Sequence, residues 1–129
     1  MKFSINKEEK YVIFKLDEEK LDSSIAPKLK SEFISLNTDG QSNIIFDLTA
    51  TKYIDSSGLS SILVANRLCD NASGNLVLFG VSDHVMKLFK ISQLDSVISI
   101  LPTLDEAIDR IFMDQIEKEL TQEDSGEES

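Results

Sequence analysis

Two adjacent hydroxyls stand in the run Asp55-Ser56-Ser57-Gly58, between a carboxylate and a glycine. Residues 43–48 before this run are β-branched and aromatic, as in a buried strand, and residues 59–68 after it have apolar side chains at helical spacing. We therefore expect the serines in a strand-to-helix loop that ends at a helix N-terminus. Free backbone N–H groups and the helix dipole make such an end tolerant of an added phosphate. A serine there can cap the helix or be phosphorylated, and the spacing alone leaves both open.

The chain contains few of the residue combinations that enzymes use for catalysis. A Ser-His-acid site needs a base beside the nucleophile, but the single histidine, His84, opens a later predicted helix and nothing in the sequence brings it to Ser56. No nucleophile elbow, phosphate-binding glycine loop, dinucleotide fingerprint or Cys/His metal spacing occurs. Asp47 ends a predicted strand as in phosphorylated receiver domains, but the first strand lacks the acidic pair that would hold Mg²⁺. We expect neither an enzyme nor a cofactor.

Composition narrows the class of protein further. A chain of 129 residues with 41% hydrophobic residues is expected to form one globular domain. Its net charge is −10, and residues 114–129 contribute more than half of it, with seven acidic residues and one lysine. This excess disfavours binding to nucleic acid and to anionic membranes. No segment is long and apolar enough to span a bilayer or to act as a signal peptide, so we expect a soluble cytoplasmic protein.

Strands and helices that would position the serines alternate along the chain. The predicted order is β-β-α-β-α-β-α-β-α, an α/β fold with a mainly parallel central sheet, an antiparallel edge strand formed by the first hairpin, and about four helices. The predicted strands are residues 3–5, 11–16, 43–48, 76–79 and 97–101.

Several helix features follow from the same patterns. Ser23 or Ser24 is expected to cap the first helix near Ile25, with Pro27 in its first turn. The lone Cys69 excludes an internal disulfide and is expected to be a buried small hydrophobe. The predicted inward face of the second helix is Leu59, Ile62, Leu63, Asn66 and Cys69, and the predicted stripe of the last helix is Leu104, Ala107, Ile108, Ile111, Phe112 and Ile116.

The longer pattern around the serines resembles the signature of the STAS domain, and specifically the bacterial anti-sigma factor antagonist family. The resemblance covers about residues 3–112, with Asp55-Ser56-Ser57-Gly58 as its most specific part. Glu19 and Gln93 occupy positions where the family has glycines, so turn geometry is expected to differ there. Weaker matches are residues 20–22, 73–76, 85–94 and 105–108.

The resemblance implies a function and a division of the chain. Ser56 would be phosphorylated by a partner that is both an anti-sigma factor and a serine kinase, a phosphoserine phosphatase would reset it, and the unphosphorylated form would bind the kinase. The alternative is a STAS scaffold subunit without a switch, bound to a transport ATPase or a stress-signalling assembly. Residues 1–113 would form the domain and residues 114–129 the end of the last helix and a disordered acidic tail. The expected partner-binding residues are Asp22, Asp55, Ser56, Ser57, Gly58, Val64 and Leu68.

Overall fold

The computed structural model describes the backbone of residues 1–128 and the side chains of residues 1–121. The strands are β1 (Phe3–Lys7), β2 (Val12–Leu16), β3 (Lys20–Leu21), β4 (Ile44–Asp47), β5 (Tyr53–Ile54), β6 (Leu76–Phe79) and β7 (Ser99–Leu101). The α-helices within these residues are α1 (Ala26–Thr38), α2 (Ser56–Asn71), α3 (Asp83–Ile91) and α4 (Leu104–Glu128), and Leu94–Ser96 forms a short 3₁₀ turn.

The main sheet in this part of the chain has the order β1-β2-β4-β6-β7. β1 and β2 form an antiparallel hairpin, and every other neighbouring pair is parallel. The predicted mainly parallel sheet with an antiparallel edge is therefore confirmed. Because the carboxyl ends of parallel strands meet at one edge of the sheet, the loops that follow β2 and β4 lie together there.

Helices cover both faces of the sheet, as the near-continuous burial of β4 and β6 requires. α1, α2 and α3 cover one face and enclose the main core, where Phe14, Phe33 and Phe46 pack with ring centroids 5.1–5.7 Å apart. On the other face α4 covers a smaller cluster through Ala107 and Ile111. The sequence therefore places its largest aromatic side chains on the face that also carries the serine loop.

Cys69 lies on α2 and is buried, as predicted. Its burial raises the pKa of the thiol to about 12, because a thiolate would lose its hydration there. The neutral thiol packs as a small apolar side chain, and its reactivity is correspondingly low.

A second, two-stranded sheet was not predicted from the sequence. β3 pairs with β5 in parallel, with Lys20 opposite Tyr53 and Leu21 opposite Ile54. Strands of two residues show no alternation of polar and apolar side chains, so no periodic signal marks them. This small sheet lies directly before the serines and fixes their position.

The helix starts also differ from the sequence predictions. No side chain caps α1, whose N-cap residue is Ile25. Ser24 instead donates from its backbone N–H and its hydroxyl to Asp22 Oδ1, at 3.0 and 2.5 Å. The prediction of a Ser23 or Ser24 cap was therefore wrong, because the Ser24 hydroxyl donates to Asp22 in an Asx turn and the helix begins one residue later, after Ile25.

The predicted inward face of α2 was partly wrong. Ile62 and Cys69 are buried as predicted, but Leu63 is 40% exposed. The other buried positions, Gly58, Ser61 and Ala65, were not predicted. The small residues among them allow α2 to lie close to the layers beneath it. A rule that places large apolar residues inward misses a helix that packs through small ones.

The last strand and last helix show two further differences. β7 begins at Ser99 because the 3₁₀ turn takes up the preceding residues and leaves Val97 exposed. Phe112 and Ile116 are exposed although they were predicted to face the core. α4 has 25 residues, about 37 Å of helix, whereas β6 beneath it has four residues, about 13 Å of strand. The sheet is therefore too short to cover the whole stripe.

The structure continues α4 to Glu128, where a disordered tail was expected from about Thr121. Side chains from residue 122 onward lie outside the described residues. The division into a domain of residues 1–113 and an acidic extension of residues 114–129 stays a prediction.

Candidate functional site

The N-terminus of α2 is capped by Asp55. Its Oδ1 accepts a hydrogen bond from the Gly58 backbone N–H at 2.9 Å, and its carbonyl oxygen accepts the Leu59 N–H at 3.0 Å. Asp55 is extended and Ser56 is the first helical residue, so the helix begins three residues before Leu59. Aspartate is a preferred N-cap because its carboxylate satisfies a free N–H and interacts favourably with the helix dipole.

Ser56 is consequently released from a capping role. Its side chain is exposed, and its hydroxyl makes no hydrogen bond to any of the described residues. Ser61, one turn further into α2, is fully buried and donates to the Gly58 carbonyl oxygen at 2.6 Å. Ser57 is half-buried. Of the serines that open this helix, Ser56 offers its hydroxyl most openly to another protein.

Gly58 holds the first turn of α2 against the small sheet of β3 and β5. A Cβ at this position would lie 2.5 Å from the Leu21 carbonyl oxygen and 2.7 Å from Ile54 Cγ2. Carbonyl oxygens in a paired strand cannot move away, so only glycine allows this approach. Because the buried Gly58 packs directly against the small sheet, it fixes the distance of Ser56 from that sheet.

The two strands of the small sheet place two aspartates at its carboxyl end. Asp22 follows β3 and Asp55 follows β5, each one residue beyond a paired position. The Asp55 N–H donates to the Leu21 carbonyl oxygen at 3.2 Å, which continues the strand pairing. Parallel strands lie about 4.8 Å apart, so the backbones of both aspartates lie beside the start of α2. The sequence assigned Asp22 and Asp55 to one surface only through the family resemblance.

The pKa of Asp22 is lowered below its ordinary value, chiefly by the hydrogen bond from the Ser24 hydroxyl and then by the one from the Ser24 backbone N–H. Lys20 contributes a smaller electrostatic effect in the same direction. Asp22 is therefore held as a carboxylate beside the serines at neutral pH.

A cleft of about 310 Å³ separates the first turns of α1 from those of α2. Ser23, Pro27 and Lys30 line it from the α1 side, and Ser56, Ser57 and Ser60 from the α2 side. Sequence analysis missed Lys30, the base among these residues. The spacing of four and three residues from Ser23 to Lys30 marks one side of a helix, but only the packing of α1 on α2 shows that it faces Ser56.

The loop between β4 and β5, which precedes the serines, is held by hydrogen bonds to the loop between β2 and β3. Thr51 is buried and donates its hydroxyl to the Glu18 carbonyl oxygen at 2.9 Å, and the Lys52 N–H donates to the Glu19 carbonyl oxygen at 2.8 Å. Glu19, which stands where the family has a glycine, therefore accepts this hydrogen bond through its backbone carbonyl oxygen. The β2–β3 loop and the serine loop form one connected unit.

Val64 and Leu68 lie further along α2 and do not line the cleft. Both are half-buried, and Leu68 packs against the main core. The Leu68 carbonyl oxygen accepts a hydrogen bond from Asn37 Nδ2 at 3.3 Å, which ties this turn of α2 to α1. The structure therefore brings together Asp22, Asp55, Ser56, Ser57 and Gly58, with Val64 and Leu68 at a distance along the helix.

The described part of the chain contains no cluster of three or more His, Cys, Asp or Glu side chains that could hold a metal ion. His84 is exposed in the first turn of α3. None of the helices within the described range is long and apolar enough to cross a membrane.

Comparison with known proteins shows which proteins share this sequence pattern and architecture. The STAS domain model matches residues 2–107. The anti-sigma-B factor antagonist of Listeria monocytogenes serovar 1/2a is 34% identical over 80 residues, which are 62% of this chain and 70% of that protein. The cell fate determinant SpoIIAA of Bacillus, in its phosphorylated form, has a TM-score of 0.67 at 24% identity, covering 85% of this chain and 99% of that one.

Unphosphorylated SpoIIAA, described as an anti-sigma factor antagonist, gives a TM-score of 0.68 at 22% identity, covering 85% of this chain and 97% of that one. At these identities the two SpoIIAA structures show the fold alone. With a family model that spans most of the sequence, and with the same fold in solved structures, this chain belongs to the STAS domain family.

Proposed function

We propose that this protein is an anti-sigma factor antagonist whose binding to its anti-sigma factor is switched by phosphorylation of Ser56. The observation that carries the proposal is the exposed Ser56 hydroxyl at the first position of α2, beside a cap made by Asp55. If Ser56 were the cap, its hydroxyl would be occupied by the backbone and phosphorylation would cost helix stability. The name of the Listeria relative, an anti-sigma-B factor antagonist, supports the same class.

The start of α2 suits a phosphoryl group electrostatically. A phosphate adds about −1.5 to −2 charges at neutral pH, and the first turn of a helix offers free N–H groups and the positive end of the dipole. Lys30 lines the opposite wall of the cleft and supplies a further positive charge. The fold is therefore expected to survive phosphorylation. SpoIIAA, whose phosphorylated and unphosphorylated structures both resemble this chain, supports that expectation.

Binding to the partner is expected to respond differently. The proposed docking surface consists of Asp22, Asp55, Ser56, Ser57 and Gly58, extended along α2 by the exposed parts of Val64 and Leu68. A phosphate added here would have to be buried beside two carboxylates when the partner docks, and each 1.4 kcal/mol of that penalty weakens affinity about tenfold.

The partner is proposed to be an anti-sigma factor that is also a serine kinase. It binds the unphosphorylated protein, which frees a sigma factor, and it dissociates once it has phosphorylated Ser56. A phosphoserine phosphatase restores the binding form. On this scheme the protein acts by binding and carries out no catalysis of its own.

The test is a quantitative pull-down from native lysate with Ser56→Ala and Ser56→Asp as baits, followed by mass spectrometry and by phosphorylation of the wild type with the captured kinase. We expect an ATP-binding kinase that is enriched on Ser56→Ala, reduced about tenfold or more on Ser56→Asp, and able to phosphorylate wild type but not Ser56→Ala.

Ser4→Asp is the matched charge control, because Ser4 is exposed on the edge strand β1, in the hairpin. It should bind as the wild type does. Equal capture of the same partners by the Ser56→Ala and Ser56→Asp baits would contradict the switch and favour a scaffold subunit, for example of a transport ATPase or a stress-signalling assembly.

A further inference from the structure

The outer face of α4 carries a row of exposed apolar side chains. We call it the outer stripe and define it as Phe112, Met113, Ile116 and Leu120, whose exposures are 42%, 56%, 50% and 55%. Phe112, Ile116 and Leu120 recur every four residues and Met113 lies three residues before Ile116, so all four share one side of the helix. Ala107 and Ile111 occupy the opposite side and are buried against the sheet.

Single exposed apolar residues are normal on a protein surface, but a contiguous group is not. Within the described residues, four of the nine large exposed hydrophobic side chains lie in this stripe. The stripe also lies outside the STAS match, which ends at residue 107. Phe112 packs edge-on against Tyr11, with ring centroids 6.2 Å apart, but much of its surface and of the other three side chains stays open to a binding partner.

Charges around the stripe indicate the chemistry of that partner. Asp109, Glu117 and Glu119 are exposed and adjoin it, and Arg110 is the exposed base near its amino-terminal end. Lys118 points to the other side, where its ammonium donates to the carbonyl oxygens of Ser73 and Gly74, both at 2.9 Å. The apolar row is thus bordered mainly by carboxylates.

Such a border disfavours a second copy of this chain. Pairing two α4 helices would bring two acidic segments together, and residues 114–129 alone hold seven acidic residues and one lysine. Like charges facing each other across an interface weaken it, whereas opposite charges direct both orientation and encounter.

We infer that the outer stripe binds an amphipathic helix of another protein, with an apolar face bordered by lysine or arginine. The apolar side chains would interlock with the stripe, and the basic side chains would pair with Asp109, Glu117 and Glu119. This surface lies on the face of the sheet opposite the Ser56 cleft, so occupancy is independent of phosphorylation and of the proposed function.

The test uses the full-length protein and two synthetic helical peptides of about 20 residues, long enough to form a helix on binding. Both carry leucine at helical spacing, with flanking lysines in one and flanking glutamates in the other. Fluorescence anisotropy is expected to show saturable binding of the lysine peptide and none of the glutamate peptide. The double variant Ile116→Ser/Leu120→Ser should weaken the lysine peptide about tenfold or more.

Ile34→Ser is the matched control, because Ile34 on α1 is also 50% exposed. It should leave affinity unchanged, and circular dichroism should show that each variant is folded. Charge reversal by Glu117→Lys/Glu119→Lys should move preference toward the glutamate peptide.

Three results would overturn the inference. The first is absence of lysine-peptide binding. The second is binding that the double serine variant does not alter, since attraction would then be purely electrostatic. The third is a dimer in sedimentation velocity that the double serine variant dissolves, since the stripe would then be covered by a second copy.

Discussion

The two ends of α2 are held by similar means and are used differently. At the amino end Asp55 closes the helix and Gly58 presses against Leu21, yet the hydroxyl of Ser56 stays exposed. At the carboxyl end Ser73 adopts a left-handed φ of 61° and Lys118 donates to two carbonyl oxygens. The carboxyl end offers its acceptors to its own chain, whereas the Ser56 hydroxyl at the amino end has no partner among the described residues, which is why we propose it as the group that another protein modifies.

This difference teaches how a switch can be added without loosening a fold. Both ends rely on a glycine that lies against the backbone of a neighbouring segment, since a Cβ on Gly74 would overlap the Ser42 carbonyl. A helix fixed at both ends presents its first residue at a constant position. Modification of that residue can then change the docking surface while the core remains as it was.

The largest expected loss of stability comes from adding a side chain at the two glycines that lie against neighbouring backbone, Gly58 and Gly74. Gly58→Ala and Gly74→Ala should each lower the free energy of unfolding by about 1–3 kcal/mol, because each new methyl meets backbone that cannot move away. Urea denaturation measures both losses. Gly58→Ala should also weaken capture of the anti-sigma factor, and Gly74→Ala should not.

Gly40→Ala separates strain from overlap in this experiment. Gly40 has a φ of 90° but nothing within 4 Å of an added Cβ, so its substitution tests backbone strain alone. If Gly58→Ala were as stable as wild type, the close approach of α2 to β3 would not be what positions Ser56.

A smaller loss of stability is expected from removing the side chain that hydrogen-bonds to the backbone at each end of α2, which is Asp55 at the amino end and Lys118 at the carboxyl end. Asp55→Ala should cost about 1 kcal/mol, the usual loss for an N-cap, and Lys118→Met somewhat less, about 0.5 kcal/mol, because its contact is partly exposed. Thermal and urea unfolding compare the two. Only Asp55→Ala should reduce binding of the anti-sigma factor.

Ser82→Ala is the matched cap control. Ser82 caps α3 by accepting the Val85 N–H at 3.3 Å, so its loss should resemble that of Asp55 in stability and leave binding unchanged. Equal loss of binding in Asp55→Ala and Ser82→Ala would mean that binding follows stability, and the contrast between the two ends of α2 would fail.

The smallest effect concerns the pH dependence of Asp22 at the amino end. Because its folded pKa lies below the ordinary value of 3.8, its contribution to stability is present above that value and is lost as pH falls through the folded pKa. Ser24→Ala removes the main cause, so the Asp22 pKa should rise toward 3.8. A carbon-detected NMR titration of the Asp22 carboxyl measures this directly.

An unchanged Asp22 titration in Ser24→Ala would show that the turn at Asp22 does not hold the carboxylate.

Strong local signals made most of the fold predictable. Five main-sheet strands and the helices between them follow from alternating blocks of β-branched and amphipathic sequence, and Cys69 follows from its place in an apolar helix. The Asp55-Ser56-Ser57-Gly58 run marks the candidate site in the sequence alone. Which residue of this run caps α2 was not predictable, because aspartate and serine are both good N-cap residues and only the backbone geometry selects one of them.

The sequence by itself determined the order of the five main-sheet strands and the four helices, the family and the position of the serine loop, because these depend on composition and spacing along the chain. Only the tertiary structure decided that β3 and β5 pair, that Gly58 must be a glycine, and that Lys30 faces Ser56. Each of these depends on atoms brought together from distant parts of the chain. Local propensity carries no information about such contacts, since they arise only when the helices pack on the sheet.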